Sequence, residues 1–132
     1  MASKNGHKPE GLRTITPYFH TEGASGFINF LEQVFGAKTR ERHDSPEGLV
    51  LHAKMVIGDS VLELSDARGQ AQPMASAIHL YVSDADATYR RALQAGATSL
   101  YEPTDRLGRR TAAFKDAYGH SWYLDTAEVR AD

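Results

Sequence analysis

The chain of 132 residues contains no cysteine. Disulfides, thiolate metal ligands and cysteine nucleophiles are therefore excluded from any account of its stability or chemistry. Long apolar runs are also missing, and no stretch approaches the roughly 18 residues that a membrane span needs. The first ten residues are polar and lack the apolar centre of a secretion signal. These absences predict a cytoplasmic protein with no membrane partner.

An excess of charge of one sign is missing as well. The 15 Lys and Arg residues nearly balance 17 Asp and Glu residues, which gives a formal net charge of −2 with neutral histidines. Without a basic stripe, nucleic acid is not an expected partner. Hydrophobic residues make up 41% and charged residues 24% of the sequence, an ordinary balance for one globular domain of this length.

The sequence does contain an internal repeat. The segment 35–37 ends a helical pattern at a glycine and opens a strand, and 95–97 does the same about 60 residues later. The segment 57–62 is matched in the same way by 118–123. Each copy has the pattern of one strand, one helix and three strands. We therefore predict an α+β fold of two tandem βαβββ units, which form a curved mixed sheet around a ligand cup.

The repeat sets the predicted domain limits. Residues 1–11 have no apolar periodicity and are predicted to be a flexible tail. One domain is predicted over 12–126, made of repeats at 12–66 and 77–126, and a short tail over 127–132. The segment that joins the repeats is rich in Gly, Gln, Ala and Pro, which is typical of a linker or a loop at the rim of the cup.

The periodicity places the elements within each repeat. A first strand is predicted over Leu12–His20, where Pro17 marks an edge, a bulge or an interface. The first helix is predicted over 24–35 with an apolar stripe. A second helix begins after the N-cap Asp84 and points Ala85, Tyr89, Ala92 and Leu93 inward. The other strands are predicted at 38–43, 49–57, 60–65, 77–82, 98–102, 110–115 and 121–126, with a polar loop at 105–109.

The order of these pieces resembles the glyoxalase/bleomycin-resistance/extradiol-dioxygenase superfamily, which has the vicinal oxygen chelate fold. The resemblance covers the domain predicted over 12–126, and it departs from the usual pattern at Ala117, where proline is common. The matching segments are 15–18, 27–31, 35–37, 52–54, 57–60, 80–86, 95–97 and 116–122.

The resemblance implies where a metal would bind. Metal-dependent members place four ligands on four strands, and these positions correspond to Thr16, Glu63, Ala77 and Tyr123. Only Glu63 is an ordinary ligand for a divalent ion. The resemblance therefore implies a metal-independent protein without a cofactor, which binds a small organic molecule of an aromatic or antibiotic-like kind. It also implies a homodimer in which strands of one subunit complete the cup of the other.

Two other classes of function are left open. Because strand alternation has a period of two, His20 and His79 share a face with the carried-over positions. A metal-dependent lyase or dioxygenase would then hold one divalent metal ion with Glu63 and either histidine. Alternatively, Glu63 is the general base of a metal-free enzyme, close to a tyrosine, or the protein is a degenerate structural partner without a ligand. Whether the protein is an enzyme at all is left undecided.

The residues predicted to line the cup combine these positions with neighbouring tyrosines. Aromatic hydroxyl side chains suit the wall of a pocket for a flat ligand, and core packing is their alternative role. Arg109 and Arg110 either clamp an anionic ligand or lie in a solvated loop. His52 and His120 are predicted to make structural hydrogen bonds, and Trp122 to lie in the core. The predicted ligand-binding residues are Thr16, Tyr18, His20, Glu63, His79, Tyr81 and Tyr123, with Glu63 as the catalytic candidate.

Overall fold

The computed structural model describes residues 6–126. Within this range the chain forms two helices and eight strands, and neither helix is long and apolar enough to cross a membrane. The cytoplasmic location stays a prediction. The elements are β1 Tyr18–Thr21, α1 Ala24–Phe35, β2 Lys38–Asp44, β3 Val50–Ile57, β4 Ser60–Asp66, β5 Ala77–Tyr81, α2 Ala85–Gln94, β6 Thr98–Arg106, β7 Arg109–Lys115 and β8 Ser121–Thr126.

The strands form two mixed sheets of four strands with the same topology. The first sheet has the order β1-β4-β3-β2 and the second has the order β5-β8-β7-β6. In each sheet the first strand of the repeat lies parallel to the last, and the other neighbours are antiparallel. This shared order confirms the α+β fold of two tandem βαβββ units. Within residues 6–126 the strands pair as two separate four-stranded sheets, whereas a single curved sheet was predicted.

The first strand is shorter than predicted. It begins at Tyr18 rather than Leu12, because Pro17 has no N–H to donate to a neighbouring strand. Only the Pro17 carbonyl takes part, and it accepts a hydrogen bond of 2.8 Å from the backbone N–H of Glu63. The expected edge position is correct, since β1 is the outermost strand of its sheet.

The strand β6 is longer than predicted. It continues to Arg106 through two irregularities of register, and it tolerates Pro103 because it is an edge strand. The predicted loop at 105–109 is therefore only a two-residue turn. The turn consists of Leu107 and Gly108, which both have positive φ angles, of 52° and 76°. Positive φ at both central positions is the geometry of a type I′ hairpin turn.

Both helices pack into one core that the two repeats share. The Phe30 and Phe35 rings of α1 lie 6.1 and 6.2 Å from the Phe114 ring of the second sheet. From α2, the Arg91 guanidinium donates a 2.9 Å hydrogen bond to the carbonyl oxygen of Val34. The predicted stripe of α1 is buried at Phe27, Phe30, Leu31 and Val34.

The second helix follows its prediction except at one position. Asp84 is the N-cap and accepts a 3.1 Å hydrogen bond from the Ala87 N–H. Leu93 was predicted to point inward, which is wrong, because its side chain is 36% exposed. Thr88 is buried instead, since it lies on the stripe that Ala85, Tyr89 and Ala92 form.

A carboxylate from the first sheet caps α1. The residue before the helix, Gly23, has left-handed geometry and offers no side chain. Asp66 Oδ1 accepts hydrogen bonds of 3.1 and 3.0 Å from the N–H groups of Gly23 and Ala24. The other oxygen accepts one of 2.7 Å from the Val50 N–H. This single buried side chain therefore fixes the start of both the helix and β3.

A histidine lies inside the core where the two repeats meet. His120 is fully buried, and its Nε2 shares a 2.6 Å hydrogen bond with the Thr21 hydroxyl. The Phe19 and Phe27 rings lie 4.9 and 5.0 Å from its ring. Burial lowers the pKa of His120, although the nearby Asp116 carboxylate opposes this. The prediction of a structural hydrogen bond at His120 is confirmed.

The predicted core position of Trp122 is also confirmed. Its side chain is fully buried, and its indole N–H donates a 2.8 Å hydrogen bond to Asp116.

Two tails were predicted, over 1–11 and 127–132. Residues 1–5 of the first tail and all of the second lie outside the described residues. Within the described part, Arg40 donates hydrogen bonds to the carbonyl oxygens of Glu10 and Gly11.

Candidate functional site

Each sheet has one face covered by the helices and one open face. On the first sheet the open face carries Tyr18, His20 and Glu63. The register pairs Tyr18 with Glu63 on neighbouring strands, and alternation along β1 points His20 to the same side. Phe19 and Leu64 point the other way, into the core. Three of the predicted site residues are thus brought together.

The open face of the first sheet holds a carboxylate–imidazole pair. Glu63 Oε1 lies 2.5 Å from His52 Nε2. The Tyr18 ring stacks on His20 at 4.8 Å and lies 5.8 Å from His52. His20 Nδ1 is also 3.4 Å from the Ser65 hydroxyl. A carboxylate that is hydrogen-bonded to an imidazole is able to exchange a proton with a bound molecule.

His52 is a site residue that the sequence reasoning did not select. Its structural hydrogen bond was predicted, but not that its partner would be Glu63. Strand pairing brings them together, because Lys54 pairs with Glu63 and His52 lies two residues away on the same face. The outer part of this face is charged. Glu41 contacts His43 at 2.8 Å and Lys54 at 3.5 Å, and these contacts lower the pKa of Glu41.

The open face of the second sheet carries the other predicted residues. The register pairs His79 with Tyr123 and Tyr81 with Asp125. Asp125 Oδ2 lies 2.9 Å from His79 Nε2 and 3.4 Å from the Arg109 guanidinium. Asp125 was not among the predicted residues, although its place two positions after Tyr123 on one strand was a usable signal.

The environment of Asp125 keeps it ionised. Burial acts to raise its pKa, but hydrogen bonds from Thr111, His79 and Arg109 hold the pKa of the carboxyl below its usual range. Thr111 also shares a 3.1 Å hydrogen bond with the Tyr101 hydroxyl. Tyr101 is thereby fixed on the same face as Asp125.

An open pocket of about 520 Å³ lies on this face. Tyr101 and Tyr123 contribute aromatic surface, while Asp125 and Thr111 contribute polar atoms. Leu107, from the hairpin turn between β6 and β7, also lines the pocket and is 95% exposed. The remaining lining residues are His79, Arg106 and Arg109.

The arginines of this region have different surroundings. The guanidinium carbon of Arg106 lies 5.6 Å from the centre of the Tyr101 ring, and that of Arg109 lies 5.7 Å from the Tyr81 ring. Arg110 is bound to Asp86 at 2.9 Å and to Asp105 at 3.2 Å, and these hydrogen bonds raise its pKa. Of the two arginines weighed as a clamp, only Arg109 lines the pocket.

The predicted site residues thus form two groups rather than one. Within residues 6–126, no hydrogen bond or ring contact joins the two open faces. Thr16 lies just before β1 and is half-buried. The first group is Tyr18, His20 and Glu63, and the second is His79, Tyr81 and Tyr123.

The residues present in one chain do not fit a metal ion. His20 and Glu63 lie on the first sheet, whereas His79 lies on the second and is bonded to Asp125. Across residues 6–126, no group of three or more His, Asp or Glu side chains is arranged to hold a metal. Of the carried-over positions, Ala77 has no donor atom at all.

A larger apolar groove of about 710 Å³ lies between the two sheets. Its walls come from the edge strand β5, from the segment that leads into β1 and from the hairpin between β3 and β4. Ile15 lines it and is 83% exposed, an unusual state for a large apolar side chain. The other apolar lining includes Pro17, Ile78, Leu80 and Val82.

Solved structures with the same fold are numerous. The structure of TioX from Micromonospora sp. ML1 matches with a TM-score of 0.73 and 19% identity, over 86% of this chain and 98% of that one. The fosfomycin resistance protein FosX from Mesorhizobium loti matches with a TM-score of 0.65 and 21% identity, over 89% and 93%. At these identities the likeness concerns the fold alone.

Sequence relatives and a family model agree with this fold. Uncharacterized proteins of Mycobacterium bovis and Mycobacterium tuberculosis are 32% identical over 83% of this chain, which covers 80% and 72% of their lengths. The model of the Glyoxalase/Bleomycin resistance protein/Dioxygenase superfamily matches residues 22–124. The chain therefore belongs to the glyoxalase/bleomycin resistance protein/dioxygenase superfamily.

Proposed function

We propose that the protein binds a small organic molecule, without a metal ion, in the pocket on the open face of the second sheet. One observation carries this proposal: a pocket of about 520 Å³ combines aromatic surface from Tyr101 and Tyr123 with the exposed leucine Leu107. Volumes of roughly 300–1,000 Å³ and a mainly apolar lining with a few polar groups are typical of ligand sites.

The hairpin turn supports a role for Leu107 in binding. A type I′ turn favours Asn-Gly, because asparagine tolerates a positive φ far better than leucine does. Leu107 adopts this geometry with φ of 52° and leaves its side chain 95% exposed. Folding alone therefore does not favour leucine here. Contact with a bound molecule gives a physical reason for it.

The replacement Leu107→Asn is expected to separate stability from binding. The variant should gain about 1 kcal/mol of unfolding free energy, because strain in the turn is relieved. It should bind its ligands about tenfold more weakly, since apolar contact is lost. The measurement is a thermal-shift screen of aromatic and antibiotic compounds against chelator-treated protein. Dissociation constants of the hits are then determined by calorimetry.

The matched control is Met74→Asn, which removes another exposed apolar side chain outside the pocket. This variant should keep the affinity of the unaltered protein for every hit. Adding Ni, Zn, Mn or Fe(II) to the chelator-treated protein should leave these affinities unchanged. A screen without hits, hits that bind Leu107→Asn equally well, or binding that requires a metal would contradict the proposed function.

We also propose that the protein is a homodimer. The apolar groove between the sheets supports this, because exposed apolar surface on edge strands is typical of a contact between protein chains. The two open faces lie on separate sheets of one chain, so a second copy is needed to bring one face of each kind together. A cup made in this way agrees with the homodimer that the family resemblance implies.

The replacement Ile15→Glu is expected to dissociate the dimer. A carboxylate placed in an apolar interface loses hydration without gaining a partner, so the dissociation constant should rise about a hundredfold. Sedimentation velocity over a range of protein concentrations measures this. Leu100→Glu is the control, because Leu100 is exposed on β6 and does not line the groove. A monomeric unaltered protein, or a dimeric Ile15→Glu variant, would show that the groove is not the interface.

A further inference from the structure

We propose that the pocket on the second sheet selects an aromatic carboxylate, a flat ring that bears one negative charge, and that Arg106 and Arg109 recognise the charge. The inference rests on the proposed function, because it assumes that this pocket is the binding site. It adds the class of ligand and the residues that determine the choice.

The charges that line the pocket do not cancel. Two guanidinium groups, on Arg106 and Arg109, face a single carboxylate, Asp125. Asp125 already makes ion-pair contacts with His79 at 2.9 Å and with Arg109 at 3.4 Å. Arg106 has no carboxylate within ion-pair distance among residues 6–126. The pocket is thus locally positive, although the chain carries a formal net charge of −2.

Arg110 differs from Arg106 and Arg109 in its contacts with carboxylates. Arg110 is adjacent in sequence to Arg109, but it is bound to both Asp86 and Asp105. Its hydrogen-bonding capacity is therefore used within the protein. Arg106 keeps its donors for a ligand, and Arg109 contacts Asp125 only at 3.4 Å. Arginine presents several N–H groups in one plane, which match the two oxygens of a carboxylate.

Neighbouring tyrosines restrict both guanidinium groups. Arg106 lies over Tyr101 at 5.6 Å and Arg109 over Tyr81 at 5.7 Å. Such contacts lower the entropy that an arginine loses when it binds a ligand. Tyr101 is itself held by its hydrogen bond to Thr111. The positive groups are thus partly ordered before a ligand arrives.

The remaining lining favours a flat apolar group beside the charge. Tyr101 and Tyr123 offer aromatic surface within the same pocket, and Leu107 adds an aliphatic side chain. Aromatic rings prefer to stack with an offset or to meet edge to face, and both modes suit a planar ligand. A pocket of about 520 Å³ has room for a bicyclic ring. Positive charge and aromatic surface together point to an aromatic carboxylate.

The test compares two probes of nearly the same shape, naphthoate and its neutral amide, naphthamide. Calorimetry on the full chain should show that naphthoate binds about tenfold more tightly or better. Arg106→Gln should weaken naphthoate about tenfold and leave naphthamide unchanged. Raising the salt concentration should weaken naphthoate alone, because exposed charges are screened. Arg68→Gln removes the same charge from an exposed loop outside the pocket and should change neither affinity.

Three results would overturn the inference. Equal affinities for the two probes would show that charge is not recognised, while the proposed binding of small molecules would stand. An unchanged naphthoate affinity in Arg106→Gln would remove this residue from the site. Binding of neither probe at millimolar concentration would exclude aromatic carboxylates as the ligand class. Failure of the proposed function is distinct, because it requires that the wider compound screen also gives no ligand sensitive to Leu107→Asn.

Discussion

Replacing Asp66 by alanine is expected to lower the free energy of unfolding by roughly 3–5 kcal/mol. The Asp66 carboxylate accepts three backbone N–H groups, at Gly23, Ala24 and Val50. Hydrogen bonds to a charged group contribute more than neutral ones, and alanine would leave these donors without a partner. Urea denaturation at neutral pH measures the loss.

The matched control for Asp66 is the other helix cap. Asp84 accepts one hydrogen bond from the Ala87 N–H at an exposed position, so Asp84→Ala should cost only about 1 kcal/mol. The loss of unfolding free energy in Asp66→Asn should lie between these two values, because an amide keeps one acceptor oxygen and points an N–H₂ group at the remaining donors. If Asp66→Ala cost no more than Asp84→Ala, the carboxylate would not be the link between α1 and β3.

Lowering the pH from 7 to 5 is expected to lower the free energy of unfolding through His120. Burial lowers the pKa of His120 in the folded chain below its usual value of 6.5. Its Nδ1 has no hydrogen-bond partner within the described residues, and the Phe19 and Phe27 rings lie close by. A charge at this position would therefore be poorly stabilised.

The sign of this effect follows from proton uptake. Well above pH 6.5 the histidine is neutral in both states, and its contribution to stability is fully present. As the pH falls below that value, the unfolded chain binds a proton that the folded chain does not, and stability is lost. Carboxyl groups with a lowered pKa, such as Asp86 and Asp125, also stabilise the folded chain. That stability is lost only below about pH 4, where the unfolded chain takes up their protons first.

The variant His120→Gln isolates the effect, because glutamine does not titrate. Unfolding free energies are measured with denaturant at several pH values. In this variant they should change much less between pH 7 and 5 than in the unaltered protein, whatever the stability of the variant at pH 7. His43→Gln is the control, since His43 is an exposed histidine on β2. A slope that persists in His120→Gln, or that disappears in His43→Gln, would assign the acid sensitivity to other groups.

Local periodicity was enough to predict most of the fold. The apolar stripe of α1, the glycine at its end and the alternation in the later strands each follow from a few neighbouring residues. The prediction was wrong where an element depends on hydrogen bonds to distant residues. Residues 12–17 have the composition of a strand but are not in one. The strand β6 extends past Pro103 because, among residues 6–126, it pairs with β7 alone.

The candidate site was predictable only in part, because it also depends on contacts between residues that are distant in the sequence. Alternation with a period of two places Tyr18 and His20 on one face of β1, and His79 and Tyr81 on one face of β5. The partners of these residues come from other strands, so the pair of Glu63 with His52 and the contact of Asp125 with Arg109 depend on register. Register is set by packing and by turn geometry, neither of which a single strand encodes.

The sequence by itself determined the repeat and the order of the elements, because these depend on residue type and spacing. The tertiary structure decided which residues meet. It divided the predicted site between two sheets, placed Asp66 under α1 and His120 in the core, and put Arg106 beside Tyr101. The contact of His120 with Thr21 joins the two repeats, and only their packing into one core brings these residues together.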